Sequence, residues 1–182
     1  MEKPWRLISQ FIEINSPWLR LIGEKYEDDK GNSIDYWRVE KDDSMIIVTR
    51  YRNLLVFPPP SFRVGINQVT LDFPGGRVNR GKTLEENVYW ILKKELNLDK
   101  KNIKKIVPIN ENPWYVNSSF NNQKLWGFYG EINPQVDLRD LSIGATYSLQ
   151  QSDLEFLWQR LNCLQCRALL LECFNKKLVA IP

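Results

Sequence analysis

The sequence predicts an α+β fold: a mixed β-sheet core flanked by helices, forming one domain over residues 1–182, with an N-terminal antiparallel strand region over 1–57. Three observations predict it. The first half consists of short alternating apolar and polar runs punctuated by turn residues, a capped amphipathic helix follows the Pro74-Gly75-Gly76 turn, and two Leu-rich helical patterns close the chain. A length of 182 residues suits one domain with a proper core.

In order, Leu19 to Tyr26 and Ile34 to Glu40 read as strands joined by the turn Asp28-Asp29-Lys30-Gly31-Asn32. Met45 to Arg50 and Leu54 to Phe57 read as two more strands, after which Pro58-Pro59-Pro60 forces an extended surface connection. Val69 to Pro74 alternates like a strand and ends at the Pro-Gly-Gly turn. Thr83 with Glu86 three residues on forms a capping box, so a helix starts there. That helix stops at Asn97, because Asn is the next best residue after Gly for the left-handed conformation past a helix end. Ile103 to Ile109 and Gln123 to Ile132 read as strands flanking a loop that carries Trp114 and Tyr115, side chains suited either to stacking on a base or to a core or interface role. Ser148 followed by Gln151 is expected to cap a helix running to about Leu161, and Cys163 to Phe174 reads as a second helix.

Composition excludes several chemistries. The chain has no His, which rules out His-based acid-base pairs and His-containing metal sites. The net charge of +3 is spread along the chain without a basic tail or stripe, so no nucleic-acid partner is expected. No apolar run approaches the ~20 residues of a membrane span, and the first residues are unlike a signal peptide, so a cytoplasmic location is expected. Cys163 and Cys166 form a CxxC inside a Leu-rich helical run, where buried, reduced cysteines are expected rather than redox or zinc chemistry.

The stretch from Leu71 to Leu98 resembles a Nudix box: Gly, five residues, Glu, seven residues, then Arg-Glu-aliphatic-x-Glu-Glu-x-Gly-aliphatic. With the frame set on Gly76, Lys82 falls on the first Glu, Trp90 on the Arg and Ile91 on the next Glu, while Lys94 and Glu95 fall on the last two and Asn97 on the Gly. The acids of such a box hold divalent cations against a diphosphate. Here only Glu95 of the three helix carboxylates survives, and a lysine repels a cation besides failing to bind it. From Arg77 to Lys101 seven basic residues face four acids, so the local sign of the charge is inverted. Glu95 shares a face with Leu84, Val88, Ile91 and Leu92, so it is either a remaining metal ligand or an ion-pair partner of Arg77 or Arg63.

Pro17-Trp18-Leu19, Tyr36-Trp37 and Ser61-Phe62-Arg63 ahead of Leu71 extend the resemblance to ADP-ribose and nucleoside-diphosphate-sugar pyrophosphatases over most of residues 5–135. The resemblance implies an α/β/α sandwich and a homodimer formed through exchanged N-terminal strands. It also implies Mg²⁺ or Mn²⁺, held in part by the Gly75 carbonyl and Glu95, in any active form. The leading expectation is a relative that has lost ordinary Mg²⁺-dependent hydrolysis, needs no cofactor, and binds a nucleotide or a protein partner. Arg63, Arg77, Lys82, Lys94 and Trp114 are its candidate ligand-binding residues. One alternative is an active pyrophosphohydrolase, with Glu95 catalytic and the missing acids supplied by Asp72, Glu111, Asp137 or Asp140. A structural or regulatory subunit without ligand is the other.

Overall fold

A computed structural model describes residues 4–179. The chain separates into two compact units, Met1–Asp43 with Tyr115–Lys124, and Ser44–Trp114 with Leu125–Pro182.

The first unit is a three-stranded antiparallel sheet ordered β1-β2-β3, from β1 (Arg6–Asn15), β2 (Arg20–Glu27) and β3 (Ser33–Glu40). The turn between β2 and β3 forms where the sequence places it. Asp28 Oδ1 accepts from the amides of Lys30 and Asn32 at 2.9 and 2.7 Å, and Gly31 takes a left-handed φ of 84°. β1 is a strand the sequence reading missed. Its register on β2 shifts between Leu7 and Ser9 and again between Gln10 and Ile12, and these bulges break the period-two pattern that marks a strand. A Cβ on Gly23 of β2 would lie 2.5 Å from the Phe11 ring, so glycine lets β1 lie close. The segment 115–124 runs along β3, with the Val39 amide donating to the Phe120 carbonyl at 2.8 Å.

Glu24, 3% exposed, accepts from Arg38 Nε at 2.7 Å and from Arg38 Nη2 at 3.0 Å, and Arg38 also reaches Glu40 at 2.6 Å. Hydrogen bonds from Arg38 hold the Glu24 carboxyl below its ordinary value of 4.5, against the opposing effect of burial. A carboxyl depressed on folding stabilises the fold above its unfolded value and loses that contribution as pH falls through the folded one. The urea midpoint is therefore expected to decline below about pH 4.5, and to decline less steeply in Glu24→Gln. Parallel slopes for the two proteins would contradict this.

The second unit carries a larger mixed sheet of path β10-β11-β4-β5-β12, with β8 on β4 and β9 on β11. Its strands are β4 (Ser44–Tyr51), β5 (Leu54–Phe57), β8 (Gly75–Arg77), β9 (Ile103–Pro108), β10 (Trp114–Tyr115), β11 (Lys124–Ile132) and β12 (Ala145–Ser148). Residues 44–57 thus belong to this sheet. β11 lies parallel to β4, from Leu125 opposite Ser44 to Glu131 opposite Arg50. A small two-stranded sheet of β6 (Ser61–Arg63) and β7 (Gln68–Thr70), paired antiparallel, belongs to the same unit. The strand expected over Val69 to Pro74 is confined to its start, and β8 follows the turn instead.

Three helices complete the unit: α1 (Leu84–Leu96), α2 (Gln151–Arg160) and α3 (Leu164–Asn175). α1 buries Val88, Ile91, Leu92 and Leu96 against Met45 and Ile47 of β4 and Phe128 of β11 in one hydrophobic cluster. Ser148 does not cap α2, whose N-cap is Gln150 without a side-chain bond; Asp153 instead reaches back to the Ser148 amide at 3.1 Å. Among the described residues no helix is long and apolar enough to cross a membrane.

Candidate functional site

The strand-loop-helix expected around the box is present. β8 pairs with β4, setting Gly75 opposite Ile46 and Gly76 opposite Met45. A Cβ on Gly75 would lie 3.0 Å from the Met45 carbonyl oxygen, which explains a glycine at that close backbone approach. Thr83 accepts from the Glu86 amide at 3.1 Å while Glu86 accepts from the Thr83 amide at 2.7 Å, the two halves of the capping box. Those bonds to Thr83 hold the Glu86 carboxyl below its usual value. Asn97 closes the helix at φ 56°, in the left-handed conformation expected of it.

Asn87 was not legible as a site residue, yet it shapes the loop between β8 and α1. Fully buried, it accepts from the Asn79 amide at 2.8 Å and donates to the carbonyls of Asn79 at 3.1 Å and Thr83 at 2.8 Å. The signal available was an uncharged polar residue on the apolar stripe of α1, where a buried amide must satisfy its bonds locally.

At the acidic positions of the box, Ile91 is fully buried, and its Cγ1 lies 3.5 Å from where a Gly76 Cβ would stand. Hydrocarbon therefore fills the place of one expected carboxylate. Trp90 is 46% exposed, with Lys94 Nζ 5.4 Å and Lys82 Nζ 6.0 Å from its ring centroid. Glu95 pairs with Lys94 at 3.4 Å. Arg63 is committed to Asp72, its Nη2 at 2.6 Å. Arg77 lies exposed on β8, and Trp114 is half-buried.

Among the described residues, the other proposed acids form no group of three metal-ligating side chains with Glu95. Asp72 receives Arg63 and also the Thr70 hydroxyl at 2.8 Å, Asp137 pairs with Arg139, and Glu111 and Asp140 are exposed. Mg²⁺ requires a near-octahedral set of oxygens. A carboxylate already beside an ammonium, flanked by a buried isoleucine, does not supply that set, so the residues present do not fit the ion.

Among the described residues, the grouping of three side chains with metal-ligand atoms in mutual reach is Asp72, Cys163 and Cys166, all within 4.8 Å of one another. The CxxC opens the helix expected from Cys163 to Phe174: Cys163 is the N-cap residue of α3 and Cys166 sits in its first turn. The Cys166 thiol hydrogen-bonds to Cys163 and holds it below its usual value, while the same contact and burial push Cys166 up. Burial pushes Cys173 up to about 12, leaving it an inert apolar side chain.

No family model matches this sequence, and no curated protein matches it. Among solved structures, the chain is similar to one described as "Crystal structure of ADP compounds hydrolase", with a TM-score of 0.75 at 13% identity, over 97% of this chain and 95% of that one. At that identity the likeness shows the fold. The α+β arrangement expected from the sequence, a mixed sheet with helices, is shared along nearly the whole of both chains.

Proposed function

We propose that this chain is a Nudix-fold relative of ADP-ribose and nucleotide-sugar pyrophosphatases that has lost ordinary Mg²⁺-dependent hydrolysis and binds an ADP-type diphosphate at the box helix. The observation that carries this reading is the replacement of the box acids by cations ranged about an exposed tryptophan: Lys82 and Lys94, each within 6.0 Å of the Trp90 ring. An ammonium meets a phosphate directly as a point charge, without a bridging metal. The Trp90 ring offers a face to the base. The fold neighbour's description, a hydrolase of ADP compounds, supports this ligand class. The Glu95 pair with Lys94 is a small obstacle, since an exposed ion pair is worth only ~0–1 kcal/mol.

Lys94→Glu reverses one of the two cations on an exposed side chain and is expected to weaken ADP binding by about tenfold or more. Raising the salt concentration is expected to weaken wild-type binding in the same direction. Equal affinities for variant and wild type by calorimetry would contradict the assignment.

A homodimer through the N-terminal strands belongs to the same proposal. Supporting it, Leu7, Ile8, Phe11 and Ile14 of β1 are 47–52% exposed and Trp18 is 70% exposed, an apolar surface that a three-stranded sheet does not cover by itself. Light scattering at micromolar concentration is expected to give twice the chain mass of 21.5 kDa. A monodisperse monomer would count against it.

A further inference from the structure

Asp72, Cys163 and Cys166 form a grouping that the box chemistry does not use. It joins a turn preceding β8 to the first turn of α3, residues some ninety positions apart in the chain. Asp72 Oδ2 is fully engaged, taking Arg63 Nη2 at 2.6 Å, Arg63 Nε at 3.0 Å and the Thr70 hydroxyl at 2.8 Å. Asp72 Oδ1 is buried and has no hydrogen-bond partner. An orphaned carboxylate oxygen in such a place is costly, and a buried polar atom left without a partner calls for an explanation. The two sulfurs differ in access: Cys166 is fully buried and Cys163 is half-buried, so one side of the group is open to the surface.

We infer that Asp72, Cys163 and Cys166 form a binding site for a thiophilic divalent cation, Zn²⁺ in the first instance. Two thiolates and one carboxylate supply three of the four ligands that tetrahedral zinc takes, which leaves the fourth for water or an exogenous ligand. Binding replaces two thiol protons, released to solvent, with two Zn–S bonds. A carboxylate oxygen within 4.8 Å of both sulfurs also separates this reading from a simple dithiol couple. A Cys163–Cys166 disulfide would leave Asp72 Oδ1 as unsatisfied as before, whereas a cation neutralises that carboxylate. The Arg63 and Thr70 contacts then hold the ligating carboxylate in place from outside, as supporting partners of metal ligands do.

The test uses the full-length reduced protein, with Zn²⁺ delivered in competition with a chromophoric chelator. One equivalent per chain is expected to bind, and X-ray absorption on the wild type is expected to show two sulfurs at ~2.3 Å with lighter atoms completing the shell. Cys163→Ser and Cys166→Ser are each expected to weaken binding by about 100-fold or more, and Asp72→Asn by about tenfold or more. The melting of each variant in EDTA, compared with wild type, shows that it is folded. Thiol alkylation of Cys163 in the wild type is expected to slow markedly once zinc is added. Three results would overturn the site: no stoichiometric binding by the wild type, a zinc shell without two sulfurs, or alkylation that is as fast with zinc as without it. Wild-type affinity in a folded Asp72→Asn would remove the carboxylate from the site.

Discussion

Ile91→Glu is expected to lower the melting midpoint by about 6–20 °C, and millimolar Mg²⁺ is expected to recover none of that loss. The substitution puts back the acid that the box frame calls for at this position. In this fold, however, the side chain is fully buried among Val88, Leu92, Leu96, Met45 and Phe128. A buried charge without a partner costs ~3–5 kcal/mol, and for a chain of this length each kcal/mol moves the midpoint by ~2–4 °C. The ligand set does not reassemble around the new carboxylate, because Lys94 lies beside Glu95 at 3.4 Å and repels a cation. If Ile91 instead occupied a dormant metal position, binding of the ion to the folded state would raise the variant's midpoint with Mg²⁺ concentration. Thermal melts of wild type and variant across a Mg²⁺ series separate the two outcomes.

The second large effect concerns turnover. Incubated with ADP-ribose and Mg²⁺ or Mn²⁺, the protein is expected to release AMP far below the ordinary enzymatic range of ~1–10³ per second. Glu95→Gln is expected to change that background little, since Glu95 is engaged by an ammonium and joins no other carboxylate in a metal-sized group among the described residues. Turnover near 1 per second that disappears in Glu95→Gln would make Glu95 a working ligand and restore the enzyme reading. A coupled phosphate-release assay resolves the difference across several orders of magnitude.

Local rules carried much of the fold. The Asp28 to Asn32 turn, the Thr83 cap and the left-handed Asn97 were legible because each is decided by residues within four positions of one another. β1 was not, because its bulges over Leu7 to Ile12 scramble the alternation that identifies a strand. The placement of β4 and β5 in the larger sheet depends on β11 pairing some eighty residues away, which no local pattern encodes. At the site, the burial of Ile91 was legible from the stripe it shares with Val88 and Leu92. The partner of Glu95 was not, since sequence spacing alone does not choose between a neighbouring lysine and distant arginines. The Asp72 grouping depends on tertiary contact between a turn and a helix start some ninety residues apart, which no local pattern encodes.

Calorimetric titration of ADP-ribose into the wild-type protein, with and without EDTA, tests most directly whether cations have taken the place of the metal at the box. Binding of equal affinity in the two conditions, lost in Lys94→Glu, is the predicted result. Binding that EDTA abolishes would contradict it and return the site to a metal-dependent chemistry.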